Sequence, residues 1–214
     1  MSLEYNTFLE KLKGIEASQG SVNAAQIEFL RKFLTEQSSI QTILEVGFNV
    51  GLSSATMMDV RSTIQITGFD ILWWQSSAVG KVLIDAYYPN RHILIAGDTT
   101  FTLPAFFKRN PTYQPDFVFL DGGHKEPLPR LDLYAILKHV KPGTWILIDD
   151  YCETYGREGV ISAVNYFLQS NVLIDAQIYT DQDRGWILAK RSASDIPDMP
   201  IDQILKERLK QICI

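Results

Sequence analysis

Five short apolar runs in this chain each lead into an acid. The run Thr42–Val46 carries Glu45 and opens into Gly47, Asn49 and Gly51. Ile64–Phe69 is followed by Asp70, and His92–Ala96 by Gly97 and Asp98. Phe117–Leu120 leads into Asp121-Gly-Gly-His124, and Trp145–Ile148 into Asp149-Asp150. A solvated rim would mix acids with bases, but these motifs hold no Lys or Arg beside their acids. Carboxylates gathered at one edge can accept hydrogen bonds from ligand hydroxyls or amines, or hold a hard cation.

The elements that must position these acids are legible from spacing. The five runs are rich in Ile, Val and Phe, too short for helices and apolar throughout, as strands buried on both faces of a parallel sheet are. Helical patterns separate them at Leu52–Val60, Ala78–Tyr87, Leu103–Arg109, Arg130–His139 and Gly159–Gln169. Strand then helix, five times over, predicts an α/β chain with a doubly wound, mostly parallel sheet. Val172–Tyr179 and Gly185–Lys190, joined by DQDRG, read as a C-terminal antiparallel hairpin that brings the sheet to seven strands. Two helices precede the core, one stopping at Gly14 and one over Asn23–Glu36 with Ser21 or Asn23 as its cap. A tail helix follows Pro197 and Pro200. The expected organisation is one domain over residues 1–214: N-terminal helices in 1–38, a core over 42–191 and a tail over 195–214.

In open α/β sheets, ligands bind at the carboxyl ends of the strands. Gly47 and Gly51 let a ligand approach the main chain, yet the spacing is not the G-x-G-x-x-G of dinucleotide sites. Glu45 would repel a pyrophosphate and favour a cationic or amino group. Asp70 stands where such folds accept ribose hydroxyls. Asp98 can accept from an exocyclic amine such as that of adenine. Ribose, adenine and a positive charge without phosphate describe S-adenosylmethionine.

The ordered set ILEVGFNVG, FD, AGD, FLDGGH and ILIDDY resembles class I S-adenosylmethionine-dependent methyltransferases with their Rossmann-like fold. The nearest branch is the metal-dependent O-methyltransferases of the macrocin and catechol type. The resemblance implies that Glu45, Gly47, Asn49, Gly51 and Ser53 line the methionine end of the cofactor and that Asp70 holds the ribose. It implies that Gly97, Asp98 and Thr99 lie near adenine, and it places Asp121 in the catalytic and cofactor-binding set. Asp121, Asp149 and Asp150 match the carboxylates that hold a divalent metal. His124 matches a histidine that acts as general base. The catechol branch has asparagine where Asp150 stands, which favours the macrocin-like branch. Three adjacent carboxylates without a counter-charge support a hard cation, Mg²⁺ first. The cation would lower the pKa of an acceptor hydroxyl, and His124 could take its proton.

The remaining numbers restrict partners. A net charge of −5, with no long Lys/Arg cluster, argues against nucleic acid. No apolar run approaches the roughly 20 residues that cross a bilayer, and the N-terminus lacks a secretory pattern, so a cytoplasmic protein acting on a small hydroxyl-bearing molecule is expected. The two cysteines make no disulfide framework. Trp73 and Trp74 either pack at the sheet edge or wall the ligand site. Tyr151, Tyr155 and Arg157 stand close enough to the acid pair to touch a substrate. The first helix either covers the site or contributes to a homodimer contact. Three rivals remain: a metal-free O- or N-methyltransferase, a nicotinamide oxidoreductase, and a non-catalytic cofactor-binding protein.

Overall fold

The computed structural model describes residues 1–12, 15, 21–153, 157–201 and 203–206. In chain order the elements are α1 (Leu3–Leu12), α2 (Ala24–Glu36), β1 (Thr42–Val46), α3 (Leu52–Val60), β2 (Gln65–Asp70), α4 (Gln75–Tyr87) and β3 (His92–Ala96). Then come α5 (Thr99–Arg109), β4 (Phe117–Leu120), α6 (Leu128–Leu137), β5 (Trp145–Ile148), α7 (Glu158–Gln169), β6 (Leu173–Asp181) and β7 (Arg184–Arg191). The seven strands form one sheet in the order β3-β2-β1-β4-β5-β7-β6. The first five are mutually parallel, and β7 runs antiparallel between β5 and β6. All five carboxyl ends therefore face one edge of the molecule.

Strand alternation sends neighbouring residues to opposite faces. On one face Ile43, Phe117 and Phe119 pack with Leu30, Phe33, Leu34, Met57 and Ile84 of α2–α4, and with Tyr5 and Phe8 of α1. On the other face Leu44, Val118 and Ile146 meet Leu103, Phe107, Ile136, Val164 and Phe167 of α5–α7. Each such fully buried side chain contributes about 1.5–3 kcal/mol of transfer free energy. Two filled faces explain why β1, β4 and β5 read as unbroken apolar runs, while β3 at the sheet edge leaves Ile93 exposed.

Several helix bounds differ from the sequence reading. α4 and α5 begin at Gln75 and Thr99, earlier than expected, and α6 spans Leu128–Leu137. For α5 the cause is Asp98, whose side chain accepts from the Thr100 amide and caps the helix. Asn23, not Ser21, caps α2, in a reciprocal capping box with Gln26. α1 lies against α3 and α4, where the Tyr5 hydroxyl meets the Thr56 hydroxyl at 2.8 Å. The tail is helical at 201 and 203–206, and its continuation lies outside the described residues, as do Gly14 and Tyr155. No helix among the described residues is long and apolar enough to cross a membrane.

Candidate active site

The strand ends are tied into one rim by their own backbone. Gly97 N–H donates to the Asp70 carbonyl (2.9 Å), Gly47 to Phe69 (2.8 Å), Asp121 to Val46 (2.8 Å) and Asp149 to Leu120 (2.8 Å). Above this rim opens a cleft of about 290 Å³. Gly47, Asn49, Asp70, Gly97, Asp98 and Thr99 line one stretch of it, and Asp121 and His124 another. Trp73 and Trp74 stand at its wall, 76% and 51% exposed. They line the cleft and are not buried in the sheet edge.

Gly47 answers to a close approach. Its φ is +92°, and a Cβ built there would lie 1.8 Å from the Asp121 carbonyl oxygen. The glycine lets β1 turn directly over the end of β4, so loop and carboxylate share one wall.

Asp70 holds that loop in place. One oxygen accepts from the Phe48 and Asn49 amides (2.7 and 2.9 Å), and the other accepts from Leu72 N–H at 2.6 Å. Asn49 and Leu72 both take positive φ, +51° and +55°. Each conformation costs free energy that charge-assisted bonds to Asp70 offset. The carboxylate thus shapes both loops while lining the cleft.

Three residues expected at the cofactor lie outside the lining of this cleft. Glu45 is fully buried, and its carboxylate accepts from the Ser53 and Ser54 hydroxyls, with His92 Nε2 at 3.9 Å. Gly51 lies against the Phe48 ring. None of Glu45, Gly51 and Ser53 lines the cleft. The reason is parity: Glu45 is inside β1 and shares the face of Ile43, which packs on α3.

The acids of β4 and β5 divide in an unexpected way. Asp121, His124 and Asp150 each offer a ligand atom, and these three atoms lie within 4.8 Å of one another. His124 Nε2 is 2.5 Å from Asp150 Oδ2, while Arg157 Nε pairs with Asp150 Oδ1 at 2.7 Å. Asp149, expected beside them as a metal ligand, is instead engaged by Gln26 Nε2 (2.5 Å) and the Asp150 amide (2.8 Å). Its second oxygen is buried without a hydrogen-bond partner. Asp150 adopts φ +59°, a turn that sends consecutive side chains apart. Tyr151 donates to Asn165 at 2.9 Å and does not line the cleft.

Burial pushes the Asp121 carboxyl well above its usual range, and the Asp149 and Asp150 charges add to the shift. Burial, then Asp150, raises Asp149 to about 6. Burial would also raise Asp150, but the bond and charge of His124, with Arg157 and Arg184, hold it below the usual carboxylate range. The site thus carries one firmly charged acid beside two that resist ionisation, a pattern a divalent cation would relieve.

The Asp149 shift has a measurable consequence. Its folded value, about 6, exceeds the ordinary 3.8, so the folded chain binds this proton more tightly than the unfolded chain. Its contribution to stability is therefore greatest below the lower value and is lost as pH rises through the upper one. Asp149→Asn removes the titration. In metal-free buffer it is expected to gain about 2.4 kcal/mol on the parent between about pH 4 and about pH 7.5, read by urea unfolding. A difference that stays constant with pH would contradict the shift.

Sequence reasoning missed the residues that hold this cluster from afar. Gln26 belongs to α2, 123 positions from Asp149. Gly159 opens α7 against the His124 loop, and its Cβ would fall 2.4 Å from the His124 carbonyl oxygen. A glycine directly inside a helix start was the available signal.

A methyltransferase-domain family matches residues 44–151, from the middle of β1 through the acid pair. The chain belongs to this methyltransferase family. The methyltransferase has the class I S-adenosylmethionine-dependent fold, and solved structures share it. An O-methyltransferase from Bacillus cereus in complex with SAH (S-adenosylhomocysteine) aligns with a TM-score of 0.74 at 17% identity, over 90% of this chain and 92% of that one. SAH-bound PaMTH1 of Podospora anserina aligns with a TM-score of 0.74 at 14% identity, over 90% and 89%. The Streptomyces achromogenes O-methyltransferase TomG, involved in tomaymycin synthesis and bound to SAM, gives 0.68 at 18% identity, over 90% and 91%. Comparison with curated protein sequences finds no match.

Proposed function

We propose that this methyltransferase transfers a methyl group to a hydroxyl oxygen of a small molecule with the help of a divalent cation, Mg²⁺ first, and that the chain acts as one catalytic domain without nucleic-acid or membrane partners. The observation that carries the reading is the Asp121–His124–Asp150 group at the edge of the cleft. Two carboxylates and an imidazole within one coordination distance range suit a hard or borderline cation. O-methyltransferases among the similar folds support oxygen as acceptor. A cofactor lying along Gly47, Asn49, Asp70 and Asp98 would end beside this group.

When bound, S-adenosylmethionine supplies the methyl group and the cation lowers the pKa of the acceptor hydroxyl. Asp121, His124 and Asp150 would hold the cation, and Asp149 would support them from below with Gln26. Asp70 keeps the Phe48 and Asn49 amides fixed, so the loop needs no reordering when the cleft fills. Trp73 and Trp74 would exclude water from the reacting atoms.

One observation favours a second reading. The His124–Asp150 pair at 2.5 Å has the form of a carboxylate-oriented general base. His124 Nδ1 would then accept the acceptor's proton while Asp150 holds the Nε2–H and stabilises the imidazolium that forms, with no metal involved. Calorimetric titration with S-adenosylhomocysteine tests the common premise, and a folded protein that binds none overturns it. Chelator separates the two readings: activity should fall about a hundredfold or more if the cation acts, and remain if His124 works alone.

A further inference from the structure

Both oxygens of Asp150 are engaged. Oδ2 meets His124 Nε2 at 2.5 Å, and Oδ1 meets Arg157 Nε at 2.7 Å. Arg157 directly precedes α7, at the end of the connection that leaves β5, so the chain carries a permanent cation back to the acid pair it has just passed. Arg184 is the other guanidinium whose charge acts on Asp121, Asp149 and Asp150. It is held by the Ser21 carbonyl (3.0 Å) and by Gln26 Oε1 (3.3 Å). Among the described residues, Arg157 is the guanidinium that an ion pair ties to this group.

The rest of the Arg157 side chain is lightly held. Its Nη1 reaches Cys152 Sγ, a weak acceptor, at 3.3 Å, and the Asp183 carbonyl at 3.4 Å, a long bond. The side chain is 18% exposed, against 6% for Asp150. The arm can therefore leave toward solvent while the acid stays buried. A carboxylate oxygen has two lone pairs, so Asp150 has room for Arg157 and a metal ion together. The conflict is one of charge. A dication and a guanidinium on one carboxylate stand about 6 Å apart, and even in a water-like dielectric their repulsion is worth about tenfold in affinity.

We propose that Arg157 is the built-in counter-charge of the Asp121–His124–Asp150 group: it holds Asp150 while no divalent cation is bound and releases it when one binds. This rests on the cation reading and adds to it a residue that sets how tightly the cation is held. Removing the guanidinium takes away a repelling charge and also a partner that orients Asp150. The charge effect wins, because Asp150 keeps His124 as a second anchor and is buried in its own right.

Calorimetric titration of the full chain with Mg²⁺ tests it. Arg157→Met, which keeps much of the length and removes the charge, should bind Mg²⁺ about tenfold more tightly than the parent. Arg157→Lys, which keeps the charge and loses the planar fork, should bind it as the parent does. In the parent, the Arg157 Nε–H resonance should move to that of a solvated guanidinium on saturation with Mg²⁺. Far-UV circular dichroism matching that of the parent shows that each variant is folded. Equal or weaker Mg²⁺ binding by Arg157→Met, a gain as large in Arg157→Lys, or an Arg157 resonance unmoved by Mg²⁺ overturns the proposal and leaves the cation reading standing. Absence of Mg²⁺ binding in the parent and in both variants overturns the cation reading and this proposal with it.

Discussion

Asp121→Asn is expected to lower methyl transfer by about a thousandfold, the scale of losing several kcal/mol of cation-assisted stabilisation. The substitution keeps the shape of the side chain and removes its charge. It also removes the acid on which the surrounding carboxylates act most strongly, since Asp149 and Asp150 both raise its proton affinity. Folding should therefore be unharmed or improved at neutral pH, because the cost of burying this acid, whether ionised or held protonated, is gone. The stabilisation that Mg²⁺ gives the parent in thermal melts should disappear. Affinity for S-adenosylhomocysteine should change little, since Asp70 and the loop amides lie elsewhere in the cleft. If Asp121→Asn retains both Mg²⁺-dependent melting and full turnover, Asp121 is not a cation ligand.

Gly47→Ala should be among the most damaging single changes in the chain. A methyl group there would occupy the position of the Asp121 carbonyl oxygen, 1.8 Å away, at a backbone φ of +92°. Neither neighbour is a flexible side chain that can swing aside. β1 and β4 pair directly through Val46 and Leu120, so separating their ends breaks the ladder at the centre of the sheet. The combined strain is expected to cost about 4 kcal/mol or more, a large share of a domain's stability. Urea unfolding measures it. A midpoint close to that of the parent would mean that the loop can move off β4, and that the tight wall of the cleft is not built in.

β1, β2, β4 and β5 were legible because each is buried on both faces, and β3, an edge strand with Ile93 exposed, was legible from its Ile-rich composition alone. β1, β3, β4 and β5 have the bounds their apolar runs suggested. Their shared carboxyl edge followed from parallel pairing. Which acids would face the ligand was harder to read. Glu45 looked like a terminal acid but stands one residue inside β1, on the face toward α3. Asp149 and Asp150 are adjacent in sequence, yet the positive φ of Asp150 sends them to different partners. Such choices are made by contacts between distant segments: Gln26 on Asp149, Arg157 on Asp150, Gly159 beneath His124. Contacts of that kind leave no periodic trace in the chain. Asp98 shows the reverse ambiguity, where one carboxylate both caps α5 and lines the cleft.

The placement of β7 bears on how the protein is made. Every carboxylate of the cleft has been translated by Asp150, but the strand that borders β5 is not complete until Arg191. At Gly185 a Cβ would come 2.3 Å from the Tyr151 carbonyl oxygen, so this late strand presses on the segment just after the acid pair. A nascent chain paused before the hairpin would hold its acids on an unsealed sheet edge. Competence for cofactor should arrive only once β6 and β7 have been made and β7 has paired with β5 and β6.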